Sequence, residues 1–172
     1  LVPSIESFDS GNRKVLSIPL IARRGFLESR EPPGEGKVGL LLGGSGIGAR
    51  GLFRWADRLG IEVVPRNPDS GEISAEPFER LEGCDTLIVQ CGLSSISEAL
   101  AIKKRLLVAP IRGHWEQHIN AMELERLGLA VRVNEESLPK SFESPQERPA
   151  RSLHPSRLAG ARAAASFIQG FV

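Results

Sequence analysis

Polar side chains concentrate in two short stretches of the chain, residues 90–98 and residues 114–120. In the first stretch, two serines and a glutamate follow a glycine, at Gly92, Ser94, Ser95 and Glu98. Small residues at the start of a helix leave its free N–H groups open to an anion, and the helix dipole adds to that attraction. The residue types and their spacing therefore indicate an anion-binding turn.

Each polar stretch follows an apolar run that is typical of a buried strand. Asp85–Val89 is short and apolar, as a strand inside a parallel sheet requires. Arg105–Pro110 is a second such run, and it ends at a proline, which has no N–H to give to a ladder. Ligands of open parallel sheets bind outside the carboxyl ends of the strands. We therefore expect Gln90–Glu98 and His114–Asn120 to line one crevice.

Helices are predicted to follow both strands. Ser94 or Ser95 is expected to cap the first helix, with Glu98 three or four positions further on. The second helix is predicted over Glu116–Leu127, with apolar Ile119, Met122, Leu124 and Leu127 among charged residues. Both helices would begin at the edge of the sheet where the two strands end.

A glycine-rich run links the first convincing strand to its helix. The strand is predicted over Lys37–Leu42, the run over Gly43–Gly51 and the helix over Ala49–Leu59. Glycine permits positive φ and a close approach of the backbone to a ligand. A tight turn between strand and helix, with no ligand, remains an alternative.

Two overlapping frames of this run match the fingerprint of dinucleotide-binding loops. They are Gly44-x-Gly46-x-x-Ala49 and Gly46-x-Gly48-x-x-Gly51. The fingerprint also needs an acidic residue at the end of the next strand to hold a ribose. The strand predicted at Ile61–Pro65 is followed by Arg66 and Asn67 instead, which disfavours NAD or NADP.

The remaining sequence completes an alternation of strands and helices. Such alternation predicts an α/β fold with a doubly wound parallel sheet, Rossmann-like in type. The other predicted elements are a helix at Ala75–Gly83, a strand at Leu129–Val133 and a closing helix at His154–Phe167. Residues 1–36 contain several prolines and glycines and are interpreted as a tail and inter-domain linker, and residues 37–172 as one domain.

Composition excludes several classes of protein. The chain has 172 residues, 41% hydrophobic and 25% charged, with a formal net charge of +1, so nothing indicates nucleic-acid binding. No apolar run approaches the roughly 20 residues of a membrane span, and no signal peptide is visible. Cys84 and Cys91 lie at either end of one predicted strand, too far apart for a disulfide. Free thiols predict a cytoplasmic protein, and no metal-ligand spacing is present.

The spaced polar positions resemble the C-terminal, nucleotide-sugar-binding half of the GT-B glycosyltransferases. That group includes the UDP-glycosyltransferases and the family 28 N-acetylglucosaminyltransferase that forms lipid II. The matching positions are Gly92, Ser94, Ser95, Glu98, Ala99, Pro110, Glu116, Gln117, Asn120 and Ala121. The resemblance extends over residues 43–133 and implies one half of a GT-B fold.

The resemblance implies a donor site that reaches from the glycine run to the second polar stretch. Gly44, Ser45 and Gly46 would face the diphosphate, and Gly92, Ser94 and Ser95 would hold phosphate oxygens. Glu98 would accept hydrogen bonds from the ribose hydroxyls, a task that suits a carboxylate because charge-assisted bonds are strong and selective. Its alternative is a capping box.

The second stretch would contact the sugar and the leaving group. Glu116 and Gln117 would bind sugar hydroxyls, although the helix dipole alone also favours an acid at position 116. Asn120 would complete the site or only fix a turn. His114 would assist the leaving diphosphate or bond locally within its loop.

Three departures from the family pattern change what the site offers. Gln90 stands where plant UDP-glycosyltransferases have His, so a contact there would be neutral. Leu93 replaces their Trp. The usual Gly-Lys-Pro is replaced by Lys103, Lys104 and Arg105. Arg50 and Arg66 are the arginines expected to reach phosphate, if either does.

Taken with the resemblance, the expected function is donor binding in a glycosyltransferase of the hexosyltransferase type. The ligand is a nucleotide diphosphate sugar, with uridine favoured by the relatives, and no separate cofactor is expected. The acceptor and the catalytic base would come from an N-terminal half or a partner subunit, which could also bring the chain to a membrane surface. The alternatives are a nucleotide-sugar hydrolase or epimerase of similar fold, and a non-catalytic nucleotide-binding subunit.

Overall fold

The computed structural model describes residues 2–4, 11, 17–22, 37–41, 49–58, 60, 63–64, 81, 83–134 and 159–169. Within these ranges the strands are β1 (Val2–Pro3), β2 (Ser17–Ile18), β3 (Lys37–Leu41), β4 (Val63–Val64), β5 (Cys84–Val89), β6 (Arg105–Val108) and β7 (Val131–Arg132). The helices are α1 (Ala49–Arg58), α2 (Leu93–Ala101), α3 (Trp115–Arg126) and α4 (Gly160–Gln169).

A five-stranded parallel sheet forms the centre of the molecule, in the order β4-β3-β5-β6-β7. Strand β5 occupies the middle and pairs with β3 on one side and β6 on the other, with Val89 opposite both Leu41 and Val108. Its apolar side chains suit a strand that is covered on both faces. The predicted α/β fold with a doubly wound parallel sheet is confirmed.

Alternate residues of the strands build two separate hydrophobic layers. Leu87 and Val89 of β5 pack in the larger layer, which includes apolar residues of α2 and α3. Ile88 lies in the other layer, with Leu52 and Trp55 of α1. Because side chains alternate across a sheet, α1 covers one face while α2 and α3 cover the other. Each face of the sheet is therefore covered by its own helices, and these helices begin near the carboxyl edge of the sheet.

The segment before the sheet packs onto this core. Strands β1 and β2 pair in parallel as a small separate sheet, and Leu20, just beyond β2, is fully buried in the larger layer. Gly160, at the start of α4, donates its N–H to the carbonyl of Leu20 at 3.0 Å. A side chain at Gly160 would collide with the Pro19 carbonyl, so this approach needs glycine. The division of the chain at residue 36 stays a prediction.

Several element boundaries differ from those expected. Strand β6 ends at Val108 rather than Pro110, although Ala109 still donates its N–H to the carbonyl of Val89 at 2.8 Å. Helix α1 ends at Arg58, and the predicted strand Ile61–Pro65 is described only as Val63–Val64. Of the helix predicted at 75–83, only Leu81 is described as helical. Residues 42–48 and 154–158 lie outside the described residues.

Helix α3 turns part of its apolar surface outward. Leu124 is buried in the core, whereas Ile119 and Met122 are 49% and 58% exposed. The buried positions of this helix are Gln117, Ala121 and Leu124. Two of its expected apolar residues therefore face solvent, and an amide occupies a position that packs against the fold.

Candidate functional site

Three residues, 90–92, separate β5 from α2 and form a sharp turn. The N-cap of α2 is Gly92, with no side-chain cap bond, so the predicted cap by Ser94 or Ser95 is wrong. The reason is the turn: Cys91 has a φ of +58°, and the Gly92 carbonyl already accepts a 3.0 Å hydrogen bond from the N–H of Ile96. The helix thus starts at Leu93, before either serine.

This early start places both serines in the first helical turn. The N–H groups of Leu93, Ser94 and Ser95 have no carbonyl partner within the helix, because each would need an acceptor four residues earlier. Ser94 is exposed and Ser95 is buried. Ser97 is used internally, since its Oγ donates to the Leu93 carbonyl at 2.6 Å. The open N–H groups lie at the carboxyl edge of the sheet.

Glu98 lies deeper in the same helix and is buried, with 7% of its surface exposed. A capping box needs Glu three positions after the N-cap, and with Gly92 as the cap that position is Ser95. The capping-box alternative for Glu98 is thereby excluded. Glu98 has an interaction partner within the protein, and its role towards ribose stays a prediction.

A hydrogen bond joins the two polar stretches. Asn120 Nδ2, on α3, donates to the carbonyl oxygen of Cys91 at 2.9 Å, across 29 residues of sequence. Asn120 is half-buried and reaches the turn that precedes α2. The structure therefore brings the start of α2 and the first half of α3 into direct contact at one edge of the sheet.

Gln117 makes a second tie from the same helix. Its Oε1 accepts a hydrogen bond of 2.9 Å from the backbone N–H of Ile111, in the loop after β6. The side chain is buried, with 8% exposed. An amide keeps two N–H donors when its oxygen is occupied. Gln117 thus holds the loop after β6 through its Oε1 and keeps its two side-chain N–H donors for other partners.

The entry to α3 is more open. His114 is its N-cap but makes no side-chain cap bond, and its backbone N–H donates to the Ile111 carbonyl at 3.0 Å. Glu116, in the first turn, is exposed, and Trp115 is 77% exposed. These side chains are accessible to a ligand at the carboxyl edge of β6.

A cavity of about 450 Å³ opens at the same edge of the sheet. Pockets for small ligands range from about 300 to 1,000 Å³, so this volume is sufficient for one. Its lining joins the ends of three strands to α1: Gly51, Leu52, Arg54, Trp55, Gln90, Ala109, Pro110, Ile111, Arg112, Val133 and Asn134. Gln90 is the predicted site residue that lies here, and it is almost fully buried.

One arginine of this cavity, Arg54, was missed by the sequence reasoning. Arg54 and Arg112 are both exposed, and among the described residues neither guanidinium has a hydrogen-bond or ion-pair partner. The Nε1 of Trp55, on the same wall, is buried without a hydrogen-bond partner. The signal that could have found Arg54 is its spacing in α1. Positions 51, 52, 54 and 55 lie together next to the carboxyl edge of the sheet. The arginines expected to reach phosphate, Arg50 and Arg66, have no described side chain.

Other candidate chemistry is limited. Burial raises the pKa of the Cys91 thiol to about 12, so this cysteine is no nucleophile near neutral pH. Gly44, Ser45 and Gly46 lie outside the described residues. In the part of the chain that is described, no group of three His, Cys, Asp or Glu could hold a metal ion. No helix there has the length and apolar character of a bilayer-spanning segment.

Comparison with known proteins places this geometry in a recognised fold. Residues 62–143 match the sequence model of Glycosyl transferase family 1. MurG from Acinetobacter baumannii superposes with a TM-score of 0.56 at 14% identity, over 95% of this chain and 59% of its own. The resemblance to GT-B glycosyltransferases is confirmed.

A second solved structure has the same fold. The glycotransferase of kitacinnamycin superposes with a TM-score of 0.52 at 21% identity, over 82% of this chain and 44% of its own. The chain therefore spans about half the length of these GT-B structures. No curated protein sequence matches it. The likeness to these structures concerns the fold.

Proposed function

We propose that this chain binds the nucleotide diphosphate sugar of a glycosyltransferase, with UDP as the nucleotide. The observation that carries the proposal is the cavity of about 450 Å³ at the carboxyl ends of β5 and β6. Open parallel sheets bind their ligands at this edge. The hydrogen bond between Asn120 and Cys91 brings the two polar stretches together beside it.

The charge of the site suits a diphosphate. Arg54 and Arg112 line the cavity without ion-pair partners in the part of the chain that is described, and the first turn of α2 offers open N–H groups. When the sugar leaves the donor, negative charge builds on the diphosphate, and fixed donors aimed at that charge lower the barrier. The guanidinium groups add positive charge to the neutral donors that the sequence alone predicted.

Each end of the donor has a matching group. Glu98, buried in α2, would accept hydrogen bonds from the ribose. Exposed Glu116 and His114 would meet the sugar and its leaving oxygen at the entry to α3. The amide donors of Gln117 remain for a sugar hydroxyl. We assign no catalytic base within these residues.

The acceptor and the base are proposed to come from elsewhere. The chain spans 44–59% of the GT-B structures it matches, which supports the proposal that an N-terminal half or a partner subunit supplies them. A cytoplasmic location, with membrane contact made through that other part, is part of the proposal.

A ligand panel tests the proposal. Thermal shift and calorimetric titration with UDP, GDP, dTDP and their sugars should show stabilisation by the UDP ligands. A ligand at 100 times its Kd adds about 2.7 kcal/mol to the free energy of unfolding. Stabilisation by none of these nucleotides would reject donor binding. Release of free sugar from UDP-sugar without an acceptor would favour a hydrolase instead.

A further inference from the structure

Two amide side chains on one face of α3 form hydrogen bonds with backbone groups of other elements. Asn120 donates to the carbonyl of Cys91, and Gln117 accepts from the N–H of Ile111, each at 2.9 Å. We infer that Asn120 and Gln117 are positioning residues, which fix the turn before α2 and the loop after β6 in the geometry that binds the donor. The inference rests on the proposed function.

The turn before α2 needs such support. Cys91 has a φ of +58°, in the left-handed region that residues with a side chain rarely adopt. Its side chain is completely buried, so the residue cannot relieve the backbone strain by moving its thiol into solvent. Strained conformations of this kind persist where surrounding contacts hold them, and they cluster at binding sites. The amide of Asn120 makes one such contact, directly on the strained residue.

The orientation of Cys91 sets the direction of α2. Gly92 follows it as the N-cap in an extended conformation, and the helix begins with the bond from the Ile96 N–H to the Gly92 carbonyl. If Cys91 relaxed to negative φ, the peptide before Gly92 would rotate. The open N–H groups of Ser94 and Ser95 would then point elsewhere. Asn120 therefore acts on the anion site through the backbone.

Gln117 plays the matching part at the next strand. Its Oε1 holds the N–H of Ile111, which lines the cavity between Pro110 and Arg112. The two amides are three residues apart, on the same side of α3. One helix thus sets both loops in a fixed relation. A donor that spans the two loops would meet a preformed site.

The test uses Asn120→Ala, which removes the hydrogen-bond donor without adding a charge that would itself repel a diphosphate. Calorimetric titration with UDP should give a Kd about tenfold higher than in the wild type, as expected for the loss of one support of the anion site. The decisive step is a second change at the strained position. Cys91→Gly in the Asn120→Ala background accepts positive φ freely and should recover at least half of the loss on a logarithmic scale.

Cys91→Ala in the same background is the matched control. It also deletes the thiol but keeps Cβ, and it should recover nothing. Equal Kd values for the Gly and Ala double variants would overturn the inference, since a direct contact between Asn120 and ligand is not restored by glycine at position 91. A fall in melting temperature with an unchanged Kd would also overturn it, because Asn120 would then be only structural.

Unfolding measurements separate this inference from the proposed function. If the wild type binds no UDP, donor binding fails, but the tie between Asn120 and Cys91 is still measurable. Asn120→Ala should then destabilise the protein more in the Cys91→Ala background than in the Cys91→Gly background. Equal losses in both backgrounds would show that Asn120 does not support the left-handed turn.

Discussion

Asn120 Nδ2 lies 2.9 Å from the carbonyl oxygen of Cys91, and this bond links two polar stretches that are 29 residues apart in sequence. It places the start of α2 beside α3 at the carboxyl edge of the sheet. The cavity at this edge, with Gln90 on its wall, extends the same region towards α1.

Glu98→Gln should remove the recognition of ribose. If the buried carboxylate accepts bonds from the ribose hydroxyls, the wild type should prefer UDP over 2′-deoxy-UDP by about 1.5–3 kcal/mol, the usual value for a hydrogen bond to a charged group. The variant should bind both nucleotides equally, as measured by calorimetry. Glu125→Gln is the control, because its exposed pair with Arg132, at 3.6 Å, contributes little. A preference that survives in Glu98→Gln would reject the ribose role.

Arg54→Gln and Arg112→Gln should each weaken UDP binding about tenfold, since each would lose a charge-assisted contact with phosphate. The affinity of the wild type should also fall with added salt, more steeply than that of either variant. Arg126→Gln provides the matched control. Its guanidinium pairs with Glu123 at 2.7 Å, outside the cavity lining. Unchanged affinity in both cavity variants would place the diphosphate elsewhere.

Burial of the Cys91 thiol should make the protein less stable at high pH. Burial raises its pKa to about 12, above the value of about 8.5 in an unfolded chain. The folded state therefore keeps a proton that the unfolded state releases between these values. The resulting stabilisation is complete below pH 8.5 and is lost as the pH rises towards 12, with a slope of at most about 1.4 kcal/mol per pH unit.

Denaturant unfolding between pH 8 and 11 measures this slope, and Cys91→Ala should flatten it. The chain has no tyrosine, which removes one group that titrates in the same range. At pH 8 the native thiol should also react with a disulfide reagent far more slowly than in denaturant. An identical slope in the variant, or fast labelling of Cys91 in the native protein, would contradict its burial.

Two glycines should respond to alanine in opposite directions. A methyl group at Gly39 would lie 2.6 Å from Leu87 Cδ2 and 2.7 Å from Leu81 Cδ2, so Gly39→Ala should cost about 1–3 kcal/mol of overpacking. Gly51 lies inside α1 with no atom near its added methyl, so Gly51→Ala should gain about 0.5–1 kcal/mol. Urea unfolding checks both. A tolerated Gly39→Ala would contradict the close packing of β3 on β5.

The sheet was predictable because its strands carry a strong local signal. Asp85–Val89 is an apolar run between polar residues, and β5 indeed occupies Cys84–Val89. The helices after β5 and β6 were predicted to within three residues of their start for the same reason. The exact start of α2 was not predicted, because the sharp turn depends on a positive φ at Cys91 that the sequence does not indicate. Residues with side chains rarely adopt it.

The candidate site was predictable in part. Glu98 and Gln117 were named as site residues through the family resemblance, and these roles stay predictions. Their environments depend on packing that only the fold provides. Gln117 Oε1 is bound to Ile111, and Ile119 and Met122 face solvent, because α3 turns the Gln117–Ala121–Leu124 side to the core. Arg54 was missed because α1 contributes to the cavity from the opposite face of the sheet.

A titration of labelled protein with UDP, followed by amide chemical shifts, locates the bound donor. The largest changes should fall on Gly92, Ser94 and Ser95 at the start of α2, and on the Gln117 side chain. The α4 amides of residues 160–169 should stay unchanged. Saturable binding with its largest changes in α4, or no change at the start of α2, would contradict a donor held between the two polar stretches.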